Sequence, residues 1–123
     1  MTFVHEETVR FRDLDSLGHM NNAVYATFLE QARLHFLSSN GAHVENMILA
    51  RLEIDFRSPV ELGETIAIHV KPTRVGTKSF DLEYVMRAAD RVVAEAKTVL
   101  VAYDYARARS VEIPDEWKER LAA

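Results

Sequence analysis

From Asn22 to about Asn40 apolar side chains return every three or four residues, at Val24, Phe28, Leu29, Ala32, Phe36 and Leu37. That is the period of a helix with one buried face. Ala23, Ala26 and Leu34 widen the stripe, which predicts a helix enclosed by the rest of the chain, and Asn40-Gly41 is its predicted end. Elsewhere the period is two. Thr8 to Arg12 alternates Val9 and Phe11 against Thr8, Arg10 and Arg12, and Ile48, Ala50, Leu52, Ile54 and Phe56 alternate against Arg51, Glu53, Asp55 and Arg57. The same pattern recurs at Ile66, Ile68 and Val70, then at Phe80, Leu82, Tyr84 and Met86, with turn signals at Leu62-Gly63 and Val75-Gly76.

Arg91 to Ala106 mixes helix formers (Ala94, Glu95, Ala96, Lys97) with strand formers (Val99, Val101, Tyr103). A reversal at Ala89-Asp90 makes it a strand that completes a meander. A short last helix is predicted from Pro114 to Leu121, because proline suits a first helical turn. Strand, long helix and then four strands in a row give an α+β fold: a curved antiparallel sheet around one helix, in a single domain over residues 1–123. Such a sheet leaves edges unpaired, and a second copy of the chain is a natural cover for them.

Composition narrows the function classes. The 123 residues contain no cysteine, which removes disulfides, thiolate metal sites and a cysteine nucleophile together. A formal net charge of −4 gives no general attraction to nucleic acid or to an anionic membrane. The longest strongly apolar run, Val99 to Tyr103, is far too short to cross a bilayer, and Met1 to Arg10 lacks the apolar core of a signal peptide. The expected compartment is the cytoplasm.

Candidate chemistry is concentrated in the stretch that joins the first strand to the long helix, FRDLDSLGHMNN, residues 11–22. Asp13 and Asp15 share a side of the chain if the strand continues that far. Asp13 alone is explained by turn formation, and Asn21 and Asn22 by helix capping. A helix start also presents unpaired N–H groups, which favour negative charge, including the charge that grows on a carbonyl oxygen under attack. A carboxylate seven residues upstream can lie against the other face of that carbonyl, and these are the minimum parts for acyl transfer. A divalent metal held by Asp13, Asp15 and His19 is a weaker possibility of the same cluster.

Val9 to Asn22, followed by Tyr25, Phe28, Glu30, Ala32 and Arg33, resembles the opening of hotdog-fold acyl-CoA thioesterases of the 4-hydroxybenzoyl-CoA thioesterase-like family. The likeness extends over nearly the whole chain, to the closing IPDEW. It implies hydrolysis of an acyl-CoA, with Asp15 as nucleophile or general base, the backbone N–H of Asn22 as oxyanion donor and His19 in support. Related plant acyl-carrier-protein thioesterases carry an asparagine where this chain has Leu17. Glu30 is the rival acid, by likeness to a sister branch whose carboxylate lies on the central helix; an i,i+3 pair with Arg33 also accounts for it. Glu53 falls on the more polar face of its strand and is not a candidate.

For the substrate, Thr65 to Phe80 holds no acid but does hold Lys71, Arg74 and Lys78 around the turn at Val75-Gly76. Arg74 and Lys78 are therefore candidate contacts for the coenzyme A phosphates; Lys78-Ser79-Phe80 also resembles the family segment that begins the next strand near the nucleotide, which adds Ser79, and Tyr25 is the candidate for the acyl group. No metal or redox cofactor is expected, and the expected assembly is a homodimer or homotetramer. The alternatives are hydrolysis of an acyl-carrier-protein thioester and a non-catalytic module that only binds acyl thioesters. A hydratase is disfavoured because the Phe-Pro that follows Gly-His in its motif is absent.

Overall fold

The computed structural model describes residues 3–38 and 46–122. In chain order these residues form β1 (Phe3–Thr8), a 3-10 turn (Phe11–Asp13), α1 (Asn22–Leu37), β2 (Met47–Phe56), β3 (Thr65–Val75), β4 (Ser79–Ala88), β5 (Arg91–Asp104), the two-residue β6 (Arg109–Ser110) and α2 (Asp115–Ala122). The strands make one antiparallel sheet in the order β1-β3-β4-β5-β2, with β6 on the far end of β5. This is the expected α+β architecture, a sheet wrapped on one long helix.

The core follows from the period-two faces. Ile66, Ile68 and Val70 of β3 and Phe80, Leu82, Tyr84 and Met86 of β4 are almost completely buried, and Tyr25, Phe28, Leu29, Ala32 and Phe36 of α1 meet them. Phe3 of β1 packs edge-on against Phe36 at 5.6 Å. Helix α2 seals the end of the barrel through Trp117, which lies against Phe80. Its start is as expected, with the N–H groups of Trp117 and Lys118 bonded to the Pro114 carbonyl. Arg91 to Asp104 is a strand, as the meander required.

Three expectations are corrected, and a fourth falls outside the described residues. The first strand runs from Phe3 to Thr8, not through Arg12, and the chain tightens into the 3-10 turn; Phe11 is consequently 80% exposed rather than in the core. Strand β2 does not pair with β3 but crosses to the far edge beside β5, so the meander is β3-β4-β5 only. The alternation in β2 is interrupted at Ala50, where the pairing with β5 slips by one residue. Lying at an edge, β2 leaves Leu49 and Phe56 40% and 47% exposed. Helix α1 stops at Leu37, with Ser38 at its C-terminal cap, and the predicted end at Asn40-Gly41 falls outside the described residues.

Candidate active site

Residues 14–20 form a small hairpin closed by a bridge between Leu14 and Met20. The N–H of Asp15 donates to the His19 carbonyl at 2.8 Å, and Gly18 turns the chain back with a φ of +85°, a conformation that glycine adopts without strain. The carboxylate of Asp15 braces this loop from inside. Its Oδ1 accepts the N–H groups of Leu17 at 2.8 Å and His19 at 3.3 Å. Among the described residues Oδ2 has no hydrogen-bond partner.

The two aspartates do not share a side. Asp13 is buried and faces Arg10, which gives it the backbone N–H at 2.8 Å and two guanidinium bonds at 3.2 Å. Burial pushes the Asp13 carboxyl up, but the Arg10 bonds outweigh it and leave the group below the ordinary carboxylate value. Asp13 is thus the structural acid of the turn, and its carbonyl also accepts the N–H of Asn21 at 2.8 Å. With Asp13 turned to Arg10, the three-ligand cluster with Asp15 and His19 does not form. Among the described residues no group of three or more His, Asp or Glu side chains is placed to hold a metal ion.

At the start of α1 the N-cap is Asn21, whose side chain accepts from the N–H of Ala23 at 2.9 Å while its carbonyl takes the N–H of Val24. Asn22 is the first helical residue, and among the described residues its N–H has no partner. The capping expected of both asparagines belongs to Asn21 alone, which leaves the helix-end dipole and one open donor at Asn22.

Asp15, His19, Asn22 and Tyr25 line one cleft of about 380 Å³. The opposite wall is the segment Phe56, Arg57, Ser58 and Pro59 at the end of β2. Tyr25 joins the two walls, edge-on to Phe56 at 4.9 Å and with its hydroxyl donating to the Ser58 carbonyl at 3.4 Å. Sequence reasoning missed this wall; the only local sign of it was the turn-forming Arg-Ser-Pro after a strand. Arg91 fixes it from behind, through Ser58 Oγ at 3.1 Å, the Pro59 carbonyl at 3.0 Å and Glu64 at 2.8 Å.

The remaining candidates lie elsewhere. Arg74 is paired with Asp81 and bonded to Ser79 Oγ, both at 2.8 Å, so the acid just beyond the acid-free stretch already answers it. Lys78 is exposed and has no ionic partner among the described residues. Ser79 stands opposite Val101 of β5, and Phe56 of the cleft stands opposite Ala94. The step of seven positions from Ala94 to Val101 puts the two ends roughly 23 Å apart along the sheet. Glu30 is 3.7 Å from Arg33, as the i,i+3 pairing required, and is not in the cleft. A larger depression of about 700 Å³ lies on the other face of the sheet among Glu53, Lys71, Glu83 and Lys97, and it contains none of the candidate catalytic groups.

Residues 9–121 match the family described as thioesterase-like superfamily. The chain belongs to that family. It is 27% identical to a 1,4-dihydroxy-2-naphthoyl-CoA hydrolase of Nostoc punctiforme over 94% of this chain and 84% of that one. It is 29% identical to the long-chain acyl-CoA thioesterase FadM of Escherichia coli over 92% of each. A Thermus thermophilus thioesterase solved with coenzyme A and zinc superposes with a TM-score of 0.85 at 32% identity, covering 98% of this chain and 97% of that one. The family's fold and its enzyme class, thioester hydrolase, are those the resemblance implied. Among the described residues no helix is long and apolar enough to cross a membrane.

Proposed function

We propose that the protein hydrolyses acyl-CoA thioesters to the free acid and coenzyme A, with Asp15 and the Asn22 N–H acting on opposite faces of the thioester carbonyl. The observation that carries this reading is one cleft lined both by Asp15, whose Oδ2 has no hydrogen-bond partner among the described residues, and by Asn22, whose N–H has none among them either. Asp15 Oδ2 either attacks the carbonyl carbon, so that the thiolate leaves as the anhydride forms and water then hydrolyses the anhydride to the free acid and regenerates Asp15, or it takes a proton from an attacking water and passes it to the thiolate that leaves as the carbonyl re-forms. The Asn22 N–H receives the oxyanion, at a helix end whose dipole favours it. His19 lines the cleft beside them and shapes the approach of the sulfur.

Coenzyme A is held in this reading by a second copy of the chain. The basic Lys78 end and the catalytic end are at opposite ends of one sheet, roughly 23 Å apart. The outer edge of β2 is ten residues long and is unpaired among the described residues, with Leu49 and Phe56 exposed along it. Antiparallel pairing of two β2 edges carries the partner's Lys78 turn toward this protomer's Phe56 wall, covers the edge and completes the site. Lys78 contributes free positive charge there, and Ser79 and Arg74 contribute if Asp81 yields its pair. An acyl-carrier-protein substrate is the second reading, supported by a 28% identical chloroplast acyl-carrier-protein thioesterase of Arabidopsis.

Thiol release measured across short, long and aromatic acyl-CoA thioesters tests the proposal. Turnover of at least one series that falls in Asp15→Asn is expected. Binding of the same thioesters without any release by the wild-type protein would make this a binding module instead.

A further inference from the structure

The central helix carries a charge that nothing in the reaction uses. Arg33 is buried, with a side chain only 6% exposed, and among the described residues its Nε has no hydrogen-bond partner. Its one ionic partner among the described residues, Glu30, is 3.7 Å away and itself 55% exposed. A buried guanidinium is expensive unless its donors are met, so a half-matched one calls for a further acceptor.

Its place in the fold says where that acceptor would come from. Asn22, Ala26 and Arg33 sit at i, i+4 and i+11, on one side of α1. The opposite side is fixed against β1 by the stack of His35 on His5, with ring centres 4.2 Å apart. The Arg33 side therefore looks toward β4, β5 and β2. There the guanidinium is next to the Tyr84 hydroxyl of β4, which shares a 2.7 Å bond with Thr98 of β5. Between this polar group and the cleft, β5 offers only the small side chains Ala94 and Ala96, which are opposite Phe56 and Ile54 of β2. Thr98 lies four residues along β5 from the cleft end, roughly 13 Å away. Arg33 lies eleven residues along the helix from Asn22, roughly 16 Å, less the backward lean of its side chain. None of Arg33, Tyr84 and Thr98 lines the cleft itself, so an acyl group meets them only beyond its inner wall. Phe56, exposed at the free edge, is the part of the intervening wall with room to move.

We infer that Arg33, with Tyr84 and Thr98, recognises an oxygen at the far end of the acyl group, so that the preferred thioesters carry a terminal carboxylate or hydroxyl. This rests on the catalytic reading of the cleft and names the substrate class for it. A plain alkyl end would leave the orphan Nε unmet, whereas an oxygen acceptor completes it, and sites built to bond a polar group discriminate strongly against its absence.

The test compares octanoyl-CoA, omega-hydroxyoctanoyl-CoA and suberyl-CoA, three acyl groups of equal length with a methyl, hydroxyl or carboxylate terminus. In the wild-type protein, kcat/KM for one or both oxygenated substrates should exceed that for octanoyl-CoA by about tenfold or more. Arg33→Met, which fills the same volume without charge, should abolish that preference while leaving octanoyl-CoA turnover within about threefold. Arg33→Lys keeps the charge but lacks Nε, and serves if the methionine variant does not fold; it should lose most of the preference. Preference for octanoyl-CoA, equal rates on all three, or equal losses on all three in the variants would overturn the inference. If no thioester is hydrolysed, the catalytic reading fails by itself, and thermal protection then tests this one. Suberate or omega-hydroxyoctanoate should raise the Tm of the wild type but not of Arg33→Met, with octanoate inert; equal or absent protection would overturn it.

Discussion

The side chain of Asn21 closes on the N–H of Ala23 at 2.9 Å, and the donor it passes over is that of Asn22. Capping and catalysis are thereby divided between neighbouring residues. Asn22→Pro separates them cleanly. Proline is accepted at a first helical position, and Asn21 already has the extended ψ of 139° that a residue before proline needs. The variant removes the N–H along with the side chain, so kcat should fall ~10²- to 10³-fold with Tm nearly unchanged, whereas Asn22→Ala, which loses the side chain but keeps the N–H, should hold most of the rate. Wild-type kcat in the folded proline variant would exclude this amide as the oxyanion donor.

Asn21→Ala should do the opposite. Loss of the cap costs ~1 kcal/mol of stability, while kcat stays within a few fold. Chemical denaturation and steady-state kinetics on the same preparation check both halves.

Asp15→Asn keeps an oxygen for the N–H groups of Leu17 and His19, so the hairpin should persist. It removes the base or nucleophile, and kcat should drop ~10²-fold or more. A folded Asp15→Asn protein with full activity would remove Asp15 from the mechanism.

Lys78→Ala should raise KM for the thioester with kcat little changed, as expected when binding common to ground and transition states is lost. Because the proposed site is shared between copies, mixing this variant with Asp15→Asn after unfolding and refolding should restore activity with normal KM, through dimers that hold one intact site. No recovery on mixing would argue that each site belongs to one chain.

Asp13 predicts an acid limit to stability. Its folded pKa lies below the ordinary value because the Arg10 bonds outweigh burial, so the pair stabilises the fold above the unfolded value and loses that contribution as pH falls through the folded one. The Tm difference between wild type and Arg10→Met should therefore be largest near neutrality and shrink toward about pH 3. A difference independent of pH would mean that packing, not charge, is what Arg10 supplies.

Much of this was written locally in the chain. Helix and strand periods depend only on which neighbouring side chains are apolar, so α1, β3 and β4 were legible, as was the cluster that holds Asp15, His19 and Asn22, while β5 was read only from the reversal at Ala89-Asp90 that precedes it. The strand read through Arg12 failed because Val9 and Phe11 alternate like core residues, although the Arg10 bonds to Asp13 wind the chain into a turn there. Tertiary structure decided the rest: that β2 lies at the far edge beside β5, that Asp13 turns inward while Asp15 opens to the cleft, and that residues 56–59 form its other wall. Period two tells a strand which face is buried, but its edges carry identical backbone donors and acceptors. Which edges join depends on what the helix leaves uncovered, and that is a property of the folded whole.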